Sequence, residues 1–239
     1  MGLLTLGNPK TLKSKDKGYF PAILHLLPSN LGSRPNKKIN LCPYASEGCK
    51  KACLNTAGRG GVFKKGHNTN VIQEARRRRT HLFIDNRNEF FKLLIKDINS
   101  HLKRCHKSNL IPCFRLNGTS DLLWEKQGFN YLNKRYKNIM ELFPDIKFYD
   151  YTKRPNRYTL PNNYHLTFSL SESNDYLARQ ALDNGQNVAV VFKDKPPTFM
   201  DFKVIDGDKT DLRFLDPSPC IVGLKAKGKA KKDITGFVR

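Results

Sequence analysis

Nowhere in this 239-residue chain do apolar residues run on for the roughly 18 positions that a membrane-spanning helix needs. The opening Met1-Gly-Leu-Leu-Thr-Leu6 is too short and too soon interrupted for a secretory signal, and it lacks the Ser or Thr at the sixth position that a myristoylation signal carries. Neither a P-loop nor a dinucleotide fingerprint is present. Paired C-x2-C hooks and ferredoxin spacing are also missing. Internal repeats and low-complexity tracts are absent. Six cysteines are too sparse for a secreted disulfide scaffold, so a reducing cytoplasm is expected. Negative charge is scarce: 21 Asp and Glu stand against 43 Lys and Arg, a formal net charge of +22. An excess of that size attracts polyanions in a salt-dependent way. Nucleic acid is the expected partner, DNA first and RNA as the alternative, and no membrane.

What the chain does have is concentrated in one stretch. Cys42, Cys49 and Cys53 follow C-x6-C-x3-C spacing. Thiolates are soft and bind zinc or iron, and three clustered ligands call for a fourth partner. His67 is the nearest candidate for a zinc site. In a four-iron cluster the fourth position would stay open to a cofactor or substrate. Three thiols packed without metal is the alternative. The loop Gly58-Arg59-Gly60-Gly61 comes next, then Lys64 and Lys65. Glycines let backbone N–H groups approach a phosphate, although a plain connector would look the same. Arg76, Arg77, Arg78 and Arg79 follow on an expected helix. At 3.6 residues per turn they cannot all face one way, so some contact phosphate and others are solvated.

The periodicity predicts an α/β domain spanning 1–239, with a loose basic lead-in over 1–18 and a cysteine- and glycine-rich insertion over 40–67. Strands are expected near residues 19–27, 110–116, 146–151, 164–170, 187–192 and 220–225. Helices are expected near 68–83, 87–103, 129–143 and 175–184. The tail over 225–232 reads as flexible or as contacting nucleic acid. Strands alternating with helices argue for a mostly parallel sheet in a TIM-like or incomplete (β/α) barrel, with a doubly wound open sheet as the alternative. In either case the working groups follow strand ends. Asp121, in Asn117-Gly-Thr-Ser-Asp121, is such a group, as nucleophile or base or simply as a helix cap. Asp150 lies on the next strand, with Lys153 and Arg154 just past it. Asp121 and Asp150 are the expected catalytic pair. Trp124, Tyr149, Tyr151, Lys153, Arg154, Ser169 and Glu172 are expected to bind substrate. Asp206-Gly-Asp208 and Asp211 read first as a turn, with a metal site or a substrate-orienting group as alternatives.

Three resemblances bear on these residues. The run from Cys42 to Gly60, the Thr152-Lys-Arg-Pro155 segment and the closing Gly223-Leu-Lys-Ala-Lys-Gly228 resemble the bacteriophage gene-product-88-like family over residues 40–239. The same strand-end aspartates also look like those of viral DNA 7-deazaguanine transglycosylases, relatives of tRNA-guanine transglycosylase. That resemblance implies a barrel enzyme in the host cytoplasm that exchanges guanine in DNA for a 7-deazaguanine base. Asp121 and Asp150 would share the nucleophile and proton-transfer roles, with zinc at the rim. Three cysteines after a first strand, a Ser-Asp strand end and Thr-Lys-Arg-Pro are also similar to radical-SAM-like phage proteins. In that case Cys42, Cys49 and Cys53 would hold a 4Fe-4S cluster used with S-adenosylmethionine, and Asp121 and Lys153 would contact substrate or cofactor. A metal-stabilised, non-catalytic nucleic-acid-binding protein is the remaining alternative.

Overall fold

The structure, a computed structural model, describes residues 2–157 and 159–239; Met1, at the head of the expected lead-in, lies outside them. β1 (Leu4–Thr5) pairs antiparallel with β2 (Tyr19–Leu24), and α1 (Pro9–Lys13) lies between them. The cysteine loop carries α2 (Glu47–Lys51). Two helices follow, α3 (Val71–Asp85) and α4 (Arg87–Lys107), and then β3 (Ile111–Arg115). A hairpin of β4 (Phe129–Tyr131) and β5 (Lys134–Tyr136) leads to the single turn of α5 (Ile139–Leu142). β6 (Lys147–Thr152), β7 (Tyr164–Ser169), α6 (Asp175–Asp183) and β8 (Val188–Phe192) continue the alternation. β9 (Thr198–Phe199), β10 (Phe202–Asp206) and β11 (Ile221–Lys225) close it.

The main sheet has nine strands in the order β1-β2-β3-β6-β7-β8-β11-β10-β9. β1 and β9 are antiparallel edges, and every other neighbouring pair is parallel. From β2 to β8 the order advances in one direction. The helices α3, α4 and α6 pack on one face of these strands, whereas a doubly wound sheet carries helices on both. Among the described residues no pairing joins β1 to β9, so the ring of a closed TIM-like barrel is not seen.

The two faces follow from the alternation of side chains along a strand. On the helix side, Leu24, Phe114, Phe148 and Leu166 pack against Phe83, Phe91, Leu94, Ile95 and Ile98 of α3 and α4. Phe168, Val190 and Phe192 pack against Ala178 and Leu182 of α6. Truncating a buried aromatic such as Phe91, stacked on Phe129 with centroids 4.3 Å apart, costs about 3–5 kcal/mol. Asn70 caps α3, accepting from the N–H groups of Ile72 and Gln73. Asn86 ends α3 and caps α4 through Glu89 N–H. The opposite face carries Cys113, Tyr149 and Tyr151, covered by Leu212 and Phe214.

Three expectations differ from what folds. The lead-in is packed: Leu3 is fully buried, and Asp97 Oδ2 accepts its N–H at 2.6 Å. The stretch 129–143 is a hairpin and a short turn of helix. Leu132 and Asn133 take positive φ of 48° and 59°, the geometry of a tight hairpin turn. The tail is ordered too, with a 3-10 turn at Gly228–Lys232 whose Ala230 is buried beside Ala52 and Phe237.

Candidate functional site

The loops that follow β2, β3, β6 and β7 meet at the carboxyl ends of these strands, and the cysteine loop forms a lip beside them. Cys42 stands at the turn that Asn40 Oδ1 makes with its N–H, with its thiol 3.8 Å from the carbonyl of Thr119. Cys49 lies on α2, and its N–H donates to the capping Ser46 Oγ at 3.2 Å. Cys53 caps the next turn, its sulfur accepting from Asn55 N–H at 3.5 Å. All three are free and half-buried. Burial pushes the Cys42 thiol up to about 12, and the charges of Asp121, Cys53 and Cys49 add to it. Burial raises Cys53 too, with Cys49 adding and Arg76 and Lys153 opposing. The three sulfurs therefore lie within range of one another's charge. As placed, no group of three or more His, Cys, Asp and Glu among the described residues is gathered tightly enough to hold an ion. The donor set itself suits a soft metal: three thiols from one loop, flanked by two cations. His67 does not share their setting. It is exposed, in a turn its own N–H closes on Lys64 O.

The loop is clamped from behind and from the side. Arg76 NH1 donates to Asn55 O and Oδ1, each at 2.6 Å, and Gln73 Nε2 donates to Asn55 O and Gly60 O. Glu172 accepts from Ser46 Oγ and Gly48 N–H, both at 2.7 Å. Burial tends to raise the Glu172 carboxyl, but these two donors outweigh it and hold the carboxyl below its usual range. Gly48 has no room for a side chain: a Cβ would come 2.3 Å from Thr235 Oγ1 and 2.7 Å from Glu172 Oε2. Gly60 and Gly61 have the same role. Their added Cβ atoms would meet the carbonyls of Asn55 and Thr56 at 2.8 and 1.9 Å. The glycine loop thus serves close packing, and its carbonyls already receive Asn70 and Gln73.

Asp121 lies directly beside the start of the cysteine loop. Its N–H donates to Leu41 O, and its Oδ2 accepts from Lys153 N–H at 2.9 Å. Among the described residues its Oδ1 has no hydrogen-bond partner, and Arg157 approaches it at 3.8 Å. Burial raises its pKa, against the pull of Lys153 N–H, the Thr152 hydroxyl and Arg157. Lys153 Nζ donates to Ser169 Oγ at 2.8 Å. Arg154 lies 5.3 Å from the Tyr44 ring centroid. These groups do converge.

Asp150 and Trp124 do not join them. Asp150 is fully buried on the Phe148 side of β6, facing away from Tyr149 and Tyr151, where it accepts from Asn117 N–H at 2.6 Å and Tyr164 OH at 2.8 Å. Trp124 is wholly buried among Phe83, Phe90 and Phe91, and its Nε1–H donates to Asn117 Oδ1. Asn117 also accepts from Ser120 Oγ and Leu122 N–H, so both residues serve to anchor the Asn117–Asp121 turn. Tyr149 is buried and donates to Asp211 Oδ2 at 3.3 Å; Tyr151 is half-buried with Arg115 4.6 Å from its ring centroid. In the arginine run, Arg76 points inward, Arg77 pairs with Glu74, Arg79 donates to Gly2 O, and Arg78 is exposed. Arg59, Lys64 and Lys65 are exposed.

Sequence reasoning missed a group of polar residues at the ends of β2 and β3. Arg115 pairs with buried Asp211 at 3.3 Å. His25, at the end of β2, is pushed down to about 3 by burial and by Arg76, Arg115 and Arg79, with Asp211 opposing, and so stays neutral. A lone arginine at an inward position of an apolar strand was the available signal for Arg115. Asp211 read as an ordinary turn residue.

Fold and site together define an α/β protein with a mostly parallel sheet and a thiol-bearing lip at its strand ends. The family model described as Gene product 88 matches residues 2–239, and the chain belongs to that family. No curated protein and no solved structure matches it. No helix among the described residues is long and apolar enough to cross a membrane.

Proposed function

We propose that this protein is an iron–sulfur enzyme of the radical-SAM-like kind, acting inside an infected host cell. One observation carries the reading: three half-buried cysteines stand on one clamped loop beside the carboxyl ends of consecutive parallel strands, where α/β proteins place their chemistry. Cys42, Cys49 and Cys53 would hold the cluster through three thiolates. Bound, such a cluster supplies one-electron chemistry at an iron left open by the fourth position. Binding requires the thiols to lose their protons. Lys153 and Arg76 favour the Cys53 thiolate, while burial works against it. Arg76, Gln73 and Glu172 fix the loop. Asp121 Oδ1 is a buried acceptor with Arg157 at 3.8 Å, and Lys153, whose N–H holds the other oxygen, reaches Ser169 with its side chain. Neutral His25 and the Arg115–Asp211 pair stand at the ends of β2 and β3.

The base-exchange reading, with Asp121 or Asp150 as nucleophile and a zinc-held rim, has weaker support because Asp150 is sealed under the Asn117 turn. Anaerobic purification and metal analysis separate the two. The expected protein is brown, with visible absorption and about four irons per chain, and loses both in Cys42→Ser. Colourless protein with a single zinc would reject the cluster.

A further inference from the structure

Two segments far apart in sequence meet beside the cysteine lip, and each brings unpaired positive charge to the surface. The loop after Cys53 carries Arg59, Lys64 and Lys65, and the turn at Gly228–Lys232 carries Lys229, Lys231 and Lys232. All six are exposed, and none is in an ion pair among the described residues. By contrast, Lys50 is held by Glu47 and Lys227 by Asp208. The two cationic segments touch. A Cβ on Gly228 would lie 3.6 Å from the Ala57 Cβ, and Ala230 packs in one cluster with Ala52, Cys49 and Phe237. Asn70 ties the loop to the start of α3 through the carbonyls of Gly60 and Val62.

Two exposed aromatics stand in this charge. Phe63 is 40% exposed beside Lys64, and Tyr44, 44% exposed, carries the Arg154 guanidinium near its ring. Free cations interleaved with open aromatic faces match the backbone and base faces of an unpaired strand. A duplex needs something else, a free basic helix or ribbon to enter a groove. α3 leaves only Arg78 exposed and unengaged, since Arg76 is turned inward and Arg77 and Arg79 have partners, and the exposed Lys103, Arg104 and Lys107 of α4 stand at the amino ends of β2 and β3, away from the lip.

We infer that this rim is a binding track for single-stranded nucleic acid, laid along the cysteine lip. The track deepens the proposed function by naming the substrate class, and it rests on that reading only for what happens to the strand once bound.

The test is fluorescence anisotropy of the full chain with a labelled single strand of about 20 nucleotides, the matching duplex, and anionic lipid vesicles. Affinity for the single strand should fall steeply with salt. Lys229→Glu/Lys231→Glu/Lys232→Glu should weaken it more than tenfold and flatten the log–log salt slope by about 2. Lys103→Glu/Arg104→Glu/Lys107→Glu, the same charge change on exposed residues of α4, should leave it nearly unchanged. Phe63→Ala should cost about tenfold without altering the salt slope. Circular dichroism verifies that each variant folds. Equal losses in both triple variants, equal affinity for duplex, or preference for vesicles each overturn the track. Cys42→Ser/Cys49→Ser/Cys53→Ser should bind the strand normally while losing metal, so failure of the cluster and failure of the track give different results.

Discussion

At the scale of single residues, Asp150 shows how a carboxylate at a strand end can be structural. Burial pushes its pKa up to about 7, against the donors Asn117 N–H and Tyr164 OH and the charge of Arg115. The ordinary aspartate value is 3.8, so between the two the folded protein keeps a proton that the unfolded chain has released. Stability contributed by the protonated carboxyl is therefore fully present below about pH 4 and is lost as pH rises through about 7, with a slope of at most about 1.4 kcal/mol per pH unit. Asp150→Asn keeps the shape and removes the titration. Its melting temperature should lose the decline between pH 4 and 7 that the parent shows, and should equal or exceed the parent's at pH 8. An unchanged pH profile would mean that Asp150 does not titrate in this window. The spacing of the cysteines put all three on one loop, and that is where they stand as free thiols. The direction of Asp150 was not legible, because Phe148, Tyr149 and Tyr151 are all aromatic and hide which side of the strand faces the helices.

At the scale of elements, the buried strands and the two long helices were readable from period and caps, with ends shifted by a few residues. The stretch 129–143 was not, and the reason is arithmetic. Phe129, Leu132, Tyr136 and Ile139 fall at helical spacing, yet Phe129 and Tyr136 are also direct partners across the β4–β5 hairpin. Leu132 decides between the two, being 82% exposed in the turn where a helix would bury it. Left-handed backbone costs a non-glycine residue about 1–2 kcal/mol. Leu132→Asn/Asn133→Gly, the preferred pair for such a turn, should raise stability in urea by about 1 kcal/mol. A helix at this position would be weakened by the same change, so the sign of the shift identifies the element.

At the scale of the whole molecule, the cysteine loop depends on residues nearly two hundred positions away. Val238 bridges Val191 at the end of β8, Arg239 N–H donates to Val191 O, and Lys193 N–H donates to Arg239 O. That pairing seats Phe237 beneath Lys153 and presses Thr235 and Phe237 against Gly48. Contacts this distant leave no local period, which is why the tail read as flexible and why ring closure could be expected of strands whose two edges stay apart. The dependence runs one way. α3, α4 and the strands β2 to β7 bury their large apolar side chains without the segment 233–239, whereas α2 has only five residues and cannot hold itself. A chain ending at Lys232 should therefore keep its circular dichroism spectrum and most of its melting temperature. Amide exchange should quicken across residues 44–57 and stay slow in α4 and β6, and metal loading should drop severalfold. Global unfolding of the shortened chain would show instead that the segment belongs to the core. Unchanged exchange at 44–57 would show that Arg76, Gln73 and Glu172 hold the lip without it.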